Sequence, residues 1–525
     1  MEEVVAGIWA RILGLDAGTF VGRHADFFAL GGHSLLATQA VARLRAALGA
    51  AGENLPLRWL FDHPTPAALA PHMEALLQQR AVGQSNEAPV IPPLAAVVRP
   101  PGAPLQVPVS YAQERLWVVE QLIPDTAAYH LPAALRLRGA LDIDALREAL
   151  GALVARHESL RTAFVALDGQ PMQLVAPPPD PAALAQAWPL PLVDLSGDEA
   201  NVDARLTTLA QEVATTPFPL DRAPLVRAVL AHLGPQEHVL VLVAHHLIID
   251  GWSIGLLVRD LAALYTAAHG GLRGEVLLAS LPVLPLQYAD FSVWQRNTPG
   301  PLDGPALDRL LAYWRTALGA PTLRDDADSE GRSGRTEWQL PLLALPADRP
   351  RPSVQSGRGG TVPVRVPASL VHPLRALARE EGATLYMALL ASYQLLLHRL
   401  TAQQEIFVGT PVAGRTHPAT EDIVGCFVNT LVLRASFSNS PDTYRALLRR
   451  TREACLGAYT HQDLPFELLV EALHPTRRLH ASPLFQALLT LQNTPTSSSL
   501  TLPQLGLESL SPHYRRCPSS TSASH

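Results

Sequence analysis

Six consecutive apolar residues, Val239 to Ala244, run straight into His245-His246-Leu247-Ile248-Ile249-Asp250-Gly251. A strand without polar alternation is buried on both faces, so this run requires packed layers above and below it. Beyond Gly251 the period changes: Ile254, Leu257, Val258, Leu261 and Leu264 recur at helical spacing, with Ser253 placed as the N-cap. The paired histidines therefore stand where a core strand breaks into a helix. A general base needs that kind of rigid, partly desolvated position, and Gly251 lets a ligand approach the backbone. Adjacent strand residues point to opposite faces, so His245, His246 and Asp250 do not make a zinc site.

Composition narrows the classes. A chain of 525 residues, 48% hydrophobic and 17% charged, has room for about two to four globular domains. No apolar run reaches the length of a membrane helix, and the Met-Glu-Glu opening lacks the basic-then-apolar pattern of a secretory signal. A net charge of −6 argues against nucleic acid or an anionic membrane as partner. Cys426, Cys455 and Cys517 have no metal-ligand spacing and cannot build a disulfide framework, which fits a reducing cytoplasm.

Three composition shifts divide the chain. Residues 1–80 read as a small helical bundle, with helices over 2–13, 34–49 and 66–79, and residues 81–107 as a proline-rich linker. From 108 to 510 short strands alternate with helices, which indicates α/β lobes. Pro282 and Pro285 mark a hinge between 108–282 and 283–510, and 321–335 reads as a charged, glycine-containing loop. Each half has an amphipathic helix, an apolar strand (239–244 and 406–409) and a glycine-containing turn, a loose internal duplication.

The second strong signal is Asp26-Phe27-Phe28-Ala29-Leu30-Gly31-Gly32-His33-Ser34-Leu35-Leu36. Gly31 and Gly32 open a tight turn, and Ser34 begins a helix with an apolar face of Leu35, Leu36, Ala40, Val41 and Leu44. A hydroxyl at a helix start is exposed, and free backbone N–H groups beside it favour an attached phosphate. Simple capping would account for Ser34, but not for the Gly-Gly-His before it. With this segment residues 1–80 resemble the peptidyl carrier domain of nonribosomal peptide synthetases, whose signature is D-x-F-F-x-L-G-G-H-S-[LI]. The resemblance implies a four-helix bundle with a 4′-phosphopantetheine arm on Ser34, installed by a phosphopantetheinyl transferase.

Residues 108–510 resemble the condensation domain of the same synthetases through seven segments in order. They are Ser110 to Trp117, Arg156 to Phe164, His245 to Ser253, Tyr288 to Gln295, Ile423 to Thr430, His461 to Glu467 and Ser482 to Gln486. The implied fold is a two-lobed α/β body like chloramphenicol acetyltransferase, a V-shaped pseudo-dimer around a tunnel. The implied activity is amide formation between a carrier-bound donor thioester and a carrier-bound acceptor amine. By resemblance His246 stands at the reaction centre, as base or as stabilising dipole, while His245 orients the strand end and Gly251 supplies an N–H and open space. Asp250 resembles a structural residue held by an arginine, for which Arg156 and Arg349 are the candidates. Trp252, Ser253 and Asn429 are weaker candidates for lining the tunnel. The adenylation domain and the downstream acceptor carrier are expected elsewhere.

Residues 511–525 depart from the family pattern, so the second lobe is expected to be incomplete, with an unpaired sheet edge. The competing expectations are acyl transfer to a free amine or alcohol, and a catalytically silent docking platform.

Overall fold

The computed structural model describes residues 1–15, 20–81, 93–124, 126–197, 201–297, 300, 302, 304–319, 340–349, 359–437, 443–473, 481–492 and 505–509. The loop expected at 321–335, the atypical tail at 511–525 and residues 82–92 of the linker lie outside them.

The amino-terminal bundle consists of α1 (Glu2–Ile12), α2 (Ser34–Leu48), the short α3 (Arg58–Asp62) and α4 (Pro66–Ala81). The three longer helices end within two residues of the bounds that periodicity sets, and α3 is too short for a period to reveal. Val5, Ile8 and Trp9 of α1 meet Ala37, Ala40, Val41 and Leu44 of α2 and Leu69 and Met73 of α4 in the core. The Asp-Phe-Phe…Gly-Gly segment is built around Phe27, which is fully buried with its ring 5.1 Å from that of Trp9. Asp26 Oδ1 accepts the N–H groups of Phe28 and Ala29 at 2.8 and 2.9 Å. A Cβ on Gly32 would lie 2.4 Å from the Phe27 ring, and Gly31 has φ +105°, so both positions require glycine.

The strands of the body are β1 (Leu105–Pro108), β2 (His130–Gly139), β3 (Thr162–Leu167), β4 (Gln170–Val175), β5 (Leu192–Asp194), β6 (Val226–Gly234), β7 (Glu237–His245), β8 (Glu405–Val412), β9 (Asn429–Ser436), β10 (Ala487–Leu488) and β11 (Leu505–Ser509). The first lobe holds a five-stranded sheet of order β11-β2-β7-β6-β5 and a small antiparallel sheet β1-β4-β3. The apolar run lies inside β7, whose neighbours β2 and β6 are both antiparallel to it. Val239, Val241 and Val243 pack with Leu206 and Ala210 of the Val202–Thr215 helix. Leu240 and Ala244 pack with the Ile143–Arg156 and Gly251–His269 helices. Burial on both faces explains the missing alternation.

The second lobe has the sheet β10-β8-β9, with the Leu385–Thr401, Tyr444–Thr460 and Phe466–Leu473 helices against it. Sequence spacing assigns everything up to 510 to this lobe, but β11 pairs antiparallel with β2, Leu505 opposite Gly139, and so belongs to the first lobe's sheet. The crossing gives β2 a partner for backbone groups that an edge strand leaves open. The Tyr288–Arg296 helix beyond the proline hinge also reaches the first lobe, through Arg296 Nε donating to the Val109 carbonyl at 3.0 Å. Tyr288 sits at the seam, its hydroxyl 2.8 Å from Ser110 Oγ and donating to the Cys426 carbonyl. Ser159 Oγ donates to the Val424 carbonyl at 3.0 Å. Among the described residues no helix is long and apolar enough to cross a membrane.

Gly425 leaves no room at this seam: an added Cβ would stand 1.9 Å from the ring of Tyr288, itself only 1% exposed. Gly425→Ala is expected to destabilise the fold by about 1–3 kcal/mol through overpacking. An unchanged thermal midpoint in that variant would contradict the seam as described.

Candidate active site

β7 ends at His245, and the chain turns through Leu247, Ile248 and Ile249 into the Gly251–His269 helix. Those three apolar residues are buried, which anchors the turn in the first lobe's core. The helix is capped by Asp250, whose Oδ1 accepts the Ser253 N–H at 2.8 Å. The cap is therefore three residues earlier than the expected Ser253.

Asp250 is fully buried and completely satisfied. Besides the Ser253 N–H it accepts Ser253 Oγ at 2.7 Å, the Phe427 N–H at 3.1 Å and Arg415 Nη2 at 3.2 and 3.3 Å. Neither arginine proposed from the sequence is its partner. Arg156 bonds Asp260 at 2.8 Å and the Pro282 carbonyl at 2.7 Å, and Arg349 is exposed. Arg415 comes from the turn after β8, and its Nη1 also donates to the carbonyls of Thr420 and Ile423. These partners hold the Asp250 carboxylate fixed at the helix start.

The two histidines face different surroundings. His245 is 1% exposed; its Nδ1 accepts the Leu247 N–H at 3.1 Å, which leaves the proton on Nε2 for Glu120 Oε1 at 3.2 Å. Both nitrogens are committed, so the ring is an anchor. His246 is half-buried, and its N–H donates to the Tyr129 carbonyl at 2.8 Å. Its ring Nδ1 lies 3.7 Å from Cys426 Sγ. In a neutral imidazole one ring nitrogen carries the proton and the other keeps a lone pair that can accept one. Burial pushes the His246 pKa below its ordinary value, with the Asp250 charge acting weakly against it, so the ring is neutral near pH 7. Burial also drives the Cys426 thiol up to about 12, which keeps it protonated beside the imidazole.

Gly251 is exposed and a Cβ there would meet nothing within 4 Å, so the space in front of it is open. Trp252 is half-buried, with Nε1 donating to the Glu421 carbonyl at 2.9 Å. Ser253 and Asn429 do not offer free groups to a tunnel. Ser253 is fully buried and bridges Asp250 to both backbone groups of Gly425. The Asn429 amide donates to the carbonyls of Gln462 and Leu464 and accepts the N–H groups of Thr430 and Phe466. Sequence reasoning missed Arg415, Glu120 and the contact of Cys426. The available signal was an arginine directly after the glycine turn that follows the second apolar strand.

In the bundle, Ser34 is the first residue of α2, half-buried, with no side chain capping the helix start. Its Oγ lies 3.4 Å from Thr384 Oγ1, so the hydroxyl expected to be exposed is instead half-buried against the second lobe.

Arg415→Ala leaves the Asp250 charge buried without its partner and is expected to cost about 3–5 kcal/mol. Arg415→Lys keeps the charge but lacks the planar fork that also holds the Thr420 and Ile423 carbonyls, so it should recover only part of the loss. Denaturant midpoints check both; wild-type stability in Arg415→Ala would refute the assignment.

Known proteins share both parts of the chain. The family model described as Condensation domain matches residues 105–515, and that described as Phosphopantetheine attachment site matches residues 3–73. A linear gramicidin synthase protein of Brevibacillus parabrevis is 44% identical over 495 residues, which are 94% of this chain and 6% of that protein. A phosphinothricin tripeptide synthetase of Streptomyces viridochromogenes is 37% identical over 94% of this chain and 37% of its own length. The chain spans less than a tenth of the linear gramicidin synthase proteins it matches. Among solved structures, the X-domain from teicoplanin biosynthesis superposes with TM-score 0.66 at 30% identity, covering 80% of this chain and 84% of that one. A four-domain nonribosomal peptide synthetase gives TM-score 0.61 at 26% identity, over 78% of this chain and 29% of the other. The chain belongs to the condensation-domain family and joins to it, on the amino-terminal side, a phosphopantetheine attachment domain, the pairing found in nonribosomal peptide synthetases.

Proposed function

We propose that Ser34 carries a 4′-phosphopantetheine arm and that the two lobes catalyse amide formation between carrier-bound partners, with His246 as the proton acceptor. The observation that carries this reading is the neutral, half-buried His246 ring at the strand end, in the turn that leads to the open space at Gly251. Ser34 fits the arm: its hydroxyl stands at an uncapped helix start, where unpaired N–H groups favour phosphate. When bound, the arm supplies a terminal thiol that holds an acyl group as a thioester.

The roles of the chain's own residues follow. An amine adding to a thioester carbonyl becomes positively charged; the His246 imidazole would take one proton from it as the C–N bond forms, and the C–S bond would then break to release a thiolate, to which the imidazolium returns that proton. The contact of Nδ1 with Cys426 Sγ helps to hold the ring in place. His245, locked between Glu120 and Leu247, fixes the strand end from which His246 projects. Asp250 and Arg415 hold the turn rigid. A phosphopantetheinyl transferase, a separate adenylation domain and an acceptor carrier complete the proposed cycle, in the cytoplasm, where thiols such as buried Cys426 and Cys455 stay reduced.

His246→Ala is expected to lower acyl transfer from the carrier by about 10²–10⁴-fold, the usual contribution of a positioned base, while loading of the arm persists. Near-normal transfer by this variant would overturn the reading. Ser34→Ala should remove the prosthetic mass increment from the intact protein; if the increment remains, the arm sits elsewhere. The proton-accepting form of His246 is lost as pH falls through a pKa below 6.5, so the acid limb of the transfer rate should have its midpoint below 6.5. A midpoint at or above that value contradicts the desolvated environment.

A further inference from the structure

The bundle rests on the second lobe through charge pairs of both senses. Arg43, on the helix that Ser34 begins, makes a forked bond to the Glu421 carboxylate, Nε to Oε1 at 3.3 Å and Nη2 to Oε2. Arg58 pairs with Glu453 at 2.8 Å, while Asp62 pairs in the opposite sense with Arg452 at 2.5 Å. A carrier turned end for end would set like charges together, so the pattern selects one orientation.

Glu421 differs from the other two contacts in what lies behind it. Its carboxylate is only 12% exposed, and its own carbonyl accepts Trp252 Nε1 at 2.9 Å, one residue beyond Gly251. The neighbouring Thr420 and Ile423 carbonyls are held by Arg415, the buried partner of Asp250. Asp422 is held by Arg259 of the Gly251–His269 helix at 2.9 Å. Four residues further on, Cys426 touches His246. One short segment, 417–426, thus meets the carrier on one side and the histidine turn on the other.

We propose that Glu421 is a positioning residue through which a seated carrier sets the 417–426 segment against the His246 turn. The Arg43 fork restrains the Glu421 backbone, and that backbone holds the Trp252 indole in place. Because coupling is reciprocal, loss of the Trp252 bond should weaken carrier seating as loss of Arg43 loosens the indole. The assignment of a reaction to this turn rests on the condensation reading above; the linkage itself does not.

Amide hydrogen exchange of the full chain tests the linkage without turnover. Arg43→Glu and Glu421→Arg should each speed exchange across 417–426 severalfold, and the double swap should restore wild-type protection. Unchanged exchange in the single variants, or a double variant as fast as they are, overturns the proposal. Arg43→Gln, which removes the charge without reversing it, should show the same direction if the reversal disturbs the bundle. The second readout is single-turnover transfer of an acyl group from the loaded carrier to an amine. Trp252→Phe and Arg43→Glu together should lose about fivefold less, or better, than the product of their separate losses. A simple product would refute the coupling. If His246→Ala retained transfer while the swap still restored protection, the reaction assignment would fail and the linkage would stand.

Discussion

The buried pair of Asp250 and Arg415 is the constraint on which the rest of the site depends. Both side chains are about 1% exposed, and 165 residues separate them along the chain. Removing two charges from water costs several kcal/mol each, and the cost is offset only where every remaining hydrogen-bonding direction is used. Here Asp250 accepts from Ser253, Phe427 and Arg415, and Arg415 also donates to Thr420, Ile423 and Ser253, leaving its buried Nε without a partner. The pair therefore fixes three things together: the start of the Gly251–His269 helix, the path of the 415–427 segment, and the distance between the lobes.

From that pair the asymmetry of the two histidines follows. The turn after β7 is pinned at its far end by the Asp250 cap and at its near end by His245, both of whose ring nitrogens are occupied. His246 is the residue left to project from a strand end that cannot move. Its Nδ1 lies beside the un-ionised Cys426 thiol. Burial lowers the basicity of the ring but also keeps it unprotonated in the neutral range, which suits the proton-accepting role proposed for it.

The crossing segment also explains why residues that look like site candidates by motif act as structure. Ser253 ties the helix start to Gly425, and Asn429 ties the start of β9 to the loop before the Phe466–Leu473 helix. Both are polar and both neighbour the seam, yet their hydrogen bonds are filled within the protein. Glycines mark the same seam for steric reasons: Gly425 makes room for Tyr288, and Gly414, with φ +64°, for the Phe427 carbonyl. The tolerance at this junction is set by packing in which no atom can be added without moving a ring or a backbone group.

Much was legible in the chain alone. The two-sided burial of β7, the break at His245-His246 into a helix, and the glycine turn before Ser34 follow from the period and chemistry of contiguous residues, which act over one or two turns of backbone. Segment order carried the family. Which arginine meets Asp250 could not be read, because Arg156, Arg349 and Arg415 carry the same group and only long-range packing decides which is desolvated beside the carboxylate. Nor could the return of β11 to the first lobe, the saturation of Asn429, or the seating of α2 on Glu421. Local pattern determines what each segment becomes; the pairing of buried charges and strand edges is settled only when distant segments meet, since its energy depends on the water that their contact excludes.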